Sequence, residues 1–142
     1  QELNLCQVLK DACRSASHIA MAKNINIHYS EDREFFRYNG DYVRLRQMFL
    51  IVMDNAIKFS HENGSIYISL ENNKIIIKDE GIGILKEDLS MIFDRYYRVK
   101  TMEKKTGTGL GLTIAKHIAS RHNINIYAES EVNKGTSFIF EL

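Results

Sequence analysis

The sequence predicts an α+β fold: a two-layer α/β sandwich with a mixed, mostly antiparallel sheet and its helices on one face. Three observations carry this. Two long segments repeat apolar residues at helical spacing, each with a polar residue placed to cap its start. Short runs between and after them alternate with the period of half-buried strands, and two pairs of these are joined by tight-turn sequences. Helices that stand before and between hairpin-linked strands pack as a layer on a sheet, rather than alternating with parallel strands.

The elements follow in order. In "NLCQVLKDACRSASHIAMAKN", Leu5, Val8, Leu9, Ala12, Ala16 and Ile19 share one helical face, with Asn4 as cap. "INIHYS" alternates Ile25, Ile27 and Tyr29 as a strand, and "REFFRYNG" reads as a short second strand. Asp41 then caps a long helix, "YVRLRQMFLIVMDNAIKFS", whose buried face holds Leu45, Met48, Phe49, Val52 and Ala56. "SIYISLENNKIIIKDEG" is two strands turned at Asn72-Asn73, a good hairpin dipeptide. A loop, a short helix "KEDLSMIF" and a basic stretch come next. A glycine-rich loop with its own helix follows, and then two closing strands, "INIYAES" and "TSFIFEL", turned at "VNKG". No repeat, linker or low-complexity segment stands out.

At 142 residues the chain is one domain with room for a real core. Its apolar and charged fractions, 44% and 26%, are those of an ordinary globule. A net charge of +1 gives no global field for nucleic acid. The longest apolar run, "MFLIVM", is far too short to span a bilayer, and nothing resembles a signal peptide. Cys6 and Cys13 lie seven apart in a helix, about 10 Å along the axis. That is too far for a disulfide and fits a reducing, cytosolic setting. The sequon Asn63-Gly64-Ser65 reads as a turn. Proline is absent, so helix ends have to be read from caps and glycines.

Four constellations carry chemistry. Ile51, Asn55, Lys58 and Phe59 project from one side of the long helix. A buried Asn and a lysine one turn later can be a structural hydrogen-bonder and a solvated charge. An amide oxygen also suits Mg²⁺, and an ammonium suits phosphate. In "IIIKDEGIGI" an apolar strand ends at Asp79, with Gly81 and Gly83 following. This is a plain strand end, or a carboxylate acceptor for an exocyclic amine with backbone open to a flat ring. In "IFDRYYRVK" aromatics and cations alternate; Phe93 can simply anchor a loop in the core. In "KTGTGLGLTIAKHIASRHN" Gly107, Gly109 and Gly111 precede a helix. They can form a turn, or an anion site at a helix start. The run is not a P-loop, and Leu112 stands where a dinucleotide fingerprint needs its third glycine.

Taken in order, the set resembles the ATP-binding catalytic domain of sensor histidine kinases (the GHKL superfamily, Bergerat fold), shared with gyrase, mismatch-repair MutL and heat-shock chaperone ATPases. "DNAIKFS" resembles the N box, "DEGIGI" the first glycine box, "MIFDRYYRV" the F box and "GTGLGLTIAKHI" the second glycine box. "NKGTSFIF" resembles the terminal Gly-Thr element. Each is weak alone; five in order are strong, and they span nearly the whole chain.

The resemblance implies a role for each matched position. Asn55 would bind Mg²⁺ bridging the phosphates of ATP, and Lys58 and Arg98 would contact phosphate during catalysis. Asp79 would accept the adenine amino hydrogen, directly and through water with Thr136. Gly81 and Gly83 would shape the adenine pocket, Ile84 would pack on the ring and Phe59 would line the site. Gly107, Thr108, Gly109, Leu110, Gly111 and Leu112 would form the phosphate-binding loop and helix start. The segment with Lys100, Lys104 and Lys105 would be an ATP lid. It further implies that residues 1–142 are the catalytic domain of a larger cytoplasmic-side kinase anchored in a membrane. The partners would be the dimerisation domain of the same protein, which carries the acceptor histidine, and a downstream response regulator. No nucleic acid partner is implied, and the isolated domain would be monomeric.

One departure bears on activity. Hydrolysing relatives place an acidic base four residues before the Mg²⁺-binding Asn; here Ile51 stands there, and it can neither deprotonate nor orient water. Asp54 is about 100° round the helix from Asn55, a poor substitute. Transfer to a neutral imidazole, which already has a lone pair, needs less activation. None of His18, His28, His61, His117 and His122 has the setting of the family's acceptor. Three readings follow. The first is a kinase domain that phosphorylates a histidine elsewhere. The second is a nucleotide-binding regulatory module with weak or no transfer, for which Ile51 is the motive. The third is an anti-sigma-type serine kinase, weakened by the clear F box.

Overall fold

The computed structural model describes residues 1–94 and 111–142. The chain order is β1 (Glu2–Asn4), α1 (Leu5–Met21), β2 (Asn26–Glu31), β3 (Arg37–Asn39), α2 (Tyr42–Phe59), β4 (Ser65–Glu71) and β5 (Lys74–Asp79). Then come α3 (Lys86–Leu89), α4 (Gly111–Arg121), β6 (Asn125–Glu131) and β7 (Gly135–Glu141). Five strands form one sheet in the order β2-β4-β5-β7-β6. Only β2 and β4 run parallel; the other neighbours are antiparallel. This is the mixed, mostly antiparallel sheet that the alternating runs predict.

The inward face of the sheet is a row of β-branched and aromatic residues: Ile66, Ile68, Ile75, Ile77, Ile126, Phe138 and Phe140, all buried. They meet the apolar stripes of the helices, with Phe49 of α2 edge-on to Phe140 at 5.2 Å between centroids. All five residues assigned to the buried face of α2 are buried, and Asp41 caps it by accepting from the Arg44 N–H. In α1 the stripe Leu5, Val8, Leu9, Ala12 and Ala16 is buried, but Ile19 is 41% exposed. Ala20, four residues after Ala16, holds the inward position at the final turn instead. Cys6 and Cys13 are free thiols, as their spacing requires, and burial pushes them up to about 11 and about 12. Among the described residues, no helix is long and apolar enough to cross a membrane.

Two short elements differ from the sequence reading. The strand in "REFFRYNG" does not extend the main sheet; β3 pairs with β1, residues before the first helix, in a separate two-stranded ribbon. The helix read over "KEDLSMIF" spans only Lys86–Leu89 and continues as turns over 90–93. Its apolar residues Ile92 and Phe93 reach the core from those turns, and Phe93 stands edge-on to Phe138.

The ends of α1 and α4 are set by asparagines. Asn24 after α1 and Asn123 after α4 have φ of 56° and 59°. Both carry the same paired bonds, Asn24 N–H to Met21 with Ile25 N–H to Ala20, and Asn123 N–H to Ser120 with Ile124 N–H to Ala119. These are Schellman closures with Asn in the left-handed position. Each leads straight into one of the sheet's two edge strands, β2 and β6.

Candidate functional site

One end of the sheet departs from the apolar pattern. Asp79 on β5, Thr136 on β7 and Ser130 on β6 stand side by side in register, on the face that elsewhere carries Ile77, Phe138 and Ala128. Asp79 is 0% exposed. Its Oδ1 accepts from the Gly81 N–H at 2.9 Å and from the Thr136 N–H at 3.3 Å. Its Oδ2 is buried with no hydrogen-bond partner among the described residues. Burial pushes the carboxyl up to about 6, against the opposing effect of those two N–H groups. A buried carboxylate oxygen left unserved is costly, so it marks where a donor from outside would be held.

The backbone around Asp79 is closely folded. A Cβ on Gly81 would run into the Phe59 carbonyl oxygen at the end of α2, where the Ile82 N–H also docks at 3.2 Å. Gly83 has φ of +76°, and a Cβ there would strike the Glu131 carbonyl of the β6–β7 turn. The two glycines therefore let the loop after β5 pass between the end of α2 and the closing hairpin. Ile84 and Phe59 are both buried beside this passage.

Asn55 and Lys58 lie on the last turns of α2, partly exposed. No described residue hydrogen-bonds the Asn55 amide. Lys58 Nζ pairs with Asp54 Oδ2 at 3.2 Å. The sequence reading weighed Asp54 only against Asn55 and missed this pair, although i,i+4 spacing signals it. The end of α2 is held by Lys23, whose Nζ donates to the carbonyls of Ile57 at 2.9 Å, Lys58 at 3.4 Å and Ser60 at 2.7 Å. Three terminal carbonyls of the helix thus share one cation, which fits the negative end of its dipole.

The start of α4 is tied to the same region. Thr113 Oγ1 donates to the Phe93 carbonyl at 2.9 Å, and Lys116 Nζ stands 5.4 Å from the Phe93 ring centroid. Gly111 is exposed, Leu112 packs on the core, and a Cβ on Gly111 would lie 3.4 Å from Ile51 Cγ2. Ile51 therefore fills the seam between α2 and the start of α4. Arg98, Gly107, Thr108, Gly109, Leu110 and the segment with Lys100, Lys104 and Lys105 lie outside the described residues.

Ser130 is the residue that sequence reasoning missed. Its hydroxyl meets the Ile84 N–H at 2.7 Å, the Gly135 carbonyl at 2.9 Å and the Thr136 hydroxyl at 2.8 Å. The alternation Ile126, Ala128, Ser130 and the turn at "VNKG" were enough to set it opposite Thr136.

For Mg²⁺, no group of three or more His, Cys, Asp or Glu side chains is placed to hold a metal among the described residues. The free amide oxygen of Asn55 fits an ion of this kind, which keeps waters and takes one or two protein oxygens beside substrate phosphates.

A model of the histidine kinase-, DNA gyrase B-, and HSP90-like ATPase family matches residues 40–142. Sensor histidine kinase WalK of Bacillus subtilis (strain 168) is 38% identical over 133 residues, 88% of this chain and 21% of that protein. The chain spans less than a third of the curated relatives it matches. The nucleotide-free catalytic domain of histidine kinase ThkA superposes with a TM-score of 0.82 at 28% identity, covering 100% of this chain and 94% of that one. ThkA in complex with response regulator protein TrrA gives 0.81 at 26% identity, covering 100% and 41%.

Proposed function

The chain belongs to the histidine kinase-, DNA gyrase B-, and HSP90-like ATPase family, and from that membership we propose that it is the ATP-binding kinase domain of a two-component sensor histidine kinase. Its reaction is transfer of the γ-phosphoryl group of ATP to a histidine on a separate dimerisation domain of the same protein. The observation that carries this reading is the buried Oδ2 of Asp79, which has no hydrogen-bond partner among the described residues and in this reading accepts from the adenine amino group. The likeness to kinases in sequence and in structure supports it.

In this reading each residue acts by position and charge. Asp79 and Thr136 hold the base, with Ile84 and Phe59 as apolar walls. Lys58 turns from Asp54 to phosphate. Asn55 holds Mg²⁺, which when bound neutralises charge on the phosphates. Gly107 to Leu112 offer N–H groups to them, and Arg98 approaches the terminal one. The bond from the γ-phosphorus to its bridging oxygen breaks, ADP leaves, and a P–N bond forms with an imidazole nitrogen that already has its lone pair. Ile51, packed against Gly111, supplies no base for water, which separates this site from a hydrolase. The same observation favours the second reading, a regulatory nucleotide module with weak transfer.

Residues 1–142 are then the catalytic domain of a larger protein, on the cytoplasmic side of a membrane. The ThkA–TrrA complex supports a response regulator as the downstream partner. Calorimetric titration of ATP and ADP, with and without Mg²⁺, tests the site. Micromolar, Mg²⁺-dependent binding is expected, and no binding overturns the reading. Binding without transfer to the histidine domain of the parent protein would favour the regulatory alternative.

A further inference from the structure

The polar row at the end of the sheet holds one residue to which the proposed reaction gives no task. Ser130 Oγ lies 2.7 Å from the Ile84 amide nitrogen, 2.9 Å from the Gly135 carbonyl oxygen and 2.8 Å from Thr136 Oγ1. A hydroxyl has one proton and two lone pairs. The Gly135 carbonyl can only accept, so the Ser130 proton goes to it. The Ile84 N–H occupies one lone pair. What remains for Thr136 is the other lone pair, so the Thr136 hydroxyl is the donor in that contact. Its only proton is thereby committed, and Thr136 Oγ1 is left with lone pairs alone. Asp79 pairs with Thr136 on the neighbouring strand, and its Oδ2 is likewise an acceptor without a donor among the described residues.

We propose that Ser130 is a positioning residue for base selection. By holding the Thr136 proton it keeps this end of the row acceptor-only. The site then favours a purine with an amino group at position 6 over one with a carbonyl there. The inference rests on the nucleotide reading of the site and adds the residue that sets its selectivity. A carbonyl at position 6 would meet two acceptors and no donor, a mismatch that leaves buried polar groups unpaired. Without Ser130, the Thr136 hydroxyl is free to turn and donate, and the carbonyl base is tolerated.

ADP and IDP differ at that position and its neighbouring nitrogen, so the ratio of their affinities is the readout. Both are titrated calorimetrically into the wild type, Ser130→Ala, Ser130→Thr, Thr136→Val and the double variant Ser130→Ala/Thr136→Val. The wild type should prefer ADP. Ser130→Ala should narrow that preference about tenfold through improved IDP binding, and Ser130→Thr, which keeps the hydroxyl, should retain it. The double variant should return to the ratio of Thr136→Val, because no hydroxyl is left to turn. An unchanged ratio in Ser130→Ala overturns the proposal, as does a narrowed ratio that the double variant fails to restore. Should Ser130→Ala not fold, Ser130→Cys, whose sulfur accepts poorly, decides by the same ratio. Failure of the wild type to bind ADP at all would instead remove the nucleotide reading itself.

Discussion

Asp79 and Thr136 face each other in register across β5 and β7, and the Thr136 backbone N–H serves only one oxygen of the carboxylate, Oδ1. The other oxygen is buried and unserved among the described residues, and burial raises the carboxyl to about 6. The folded state therefore holds a proton on Asp79 that the unfolded chain releases near pH 4. Stability from this group is present below about pH 4, is lost as pH rises through about 6, and is flat above. The loss is on the order of 2–3 kcal/mol. Asp79→Asn removes this dependence. Urea unfolding from pH 4.5 to 7.5 should show the variant gaining on the wild type as pH rises, whatever its constant offset. Its ADP affinity should fall by about tenfold or more, because an amide donor replaces the needed acceptor. A difference in stability that does not change with pH, or an unchanged affinity, would remove the role given to Asp79.

What the sequence made legible was local. Both long helices, their Asn4 and Asp41 caps, and both hairpins follow from periods and turn dipeptides within a few residues. What it hid was set by distance or by asparagine. β1 has no period of its own and becomes a strand only because Glu2 meets Asn39. With no proline in the chain, caps and glycines are the helix ends that the sequence offers, yet "NINI" at 24–27 and again at 123–126 does the work at two of them. Asn supplies the left-handed residue, and the next isoleucine enters the edge strand. Within the candidate site, the placing of Asp79, Thr136, Gly81 and Gly83 together was readable because their motifs are contiguous. The alternation could set Ser130 opposite Thr136, but not its contacts or those of Lys23, since a hydroxyl on a strand and a lysine after a helix take their meaning only from the partners that the fold brings to them.

Lys23 gives the second prediction. Its ammonium is the shared donor to the carbonyls of Ile57, Lys58 and Ser60, and it fixes the helix end that presents Asn55 and Lys58. Lys23→Met keeps the stem and removes the donor. Denaturation should show a loss of about 2 kcal/mol, with hydrogen exchange faster at 57–60 than elsewhere in α2. A uniform change across the domain would mean that Lys23 does not act as a cap.

The Lys58–Asp54 pair gives the third. Both side chains are about a third exposed, so the pair adds little stability, within about 1 kcal/mol. Its effect is on binding, because Asp54 competes with phosphate for the ammonium. Asp54→Asn should leave the melting temperature almost unchanged and raise ADP affinity about two- to threefold at low salt, less at high salt. A loss of Mg²⁺-dependent affinity would instead assign Asp54 to the ion.

The last concerns the acceptor. If transfer goes to a histidine on another domain, none of the five in this chain should be phosphorylated, and their places support that. His122 has both ring nitrogens engaged, Nδ1 with the Ile118 carbonyl at 2.8 Å and Nε2 with the Asp41 N–H at 3.0 Å. The tautomer is thereby set, with the proton on Nδ1 and no lone pair left to attack phosphorus. His28 stacks on Tyr67 at 4.9 Å, on the face of the sheet away from the helices that carry Asn55 and Lys58. His18 is in the last turn of α1, and His61 and His117 are exposed; among the described residues no acid hydrogen-bonds any of the three to orient its ring, although His61 is near enough to Asp79 for its charge to act on that carboxyl. Incubation of this chain with γ-labelled ATP and Mg²⁺ should leave no acid-labile, base-stable phosphate on it, while adding the parent's histidine domain should yield that label on the added domain. Stoichiometric label on any of the five would place the acceptor within this chain and overturn transfer to a separate domain.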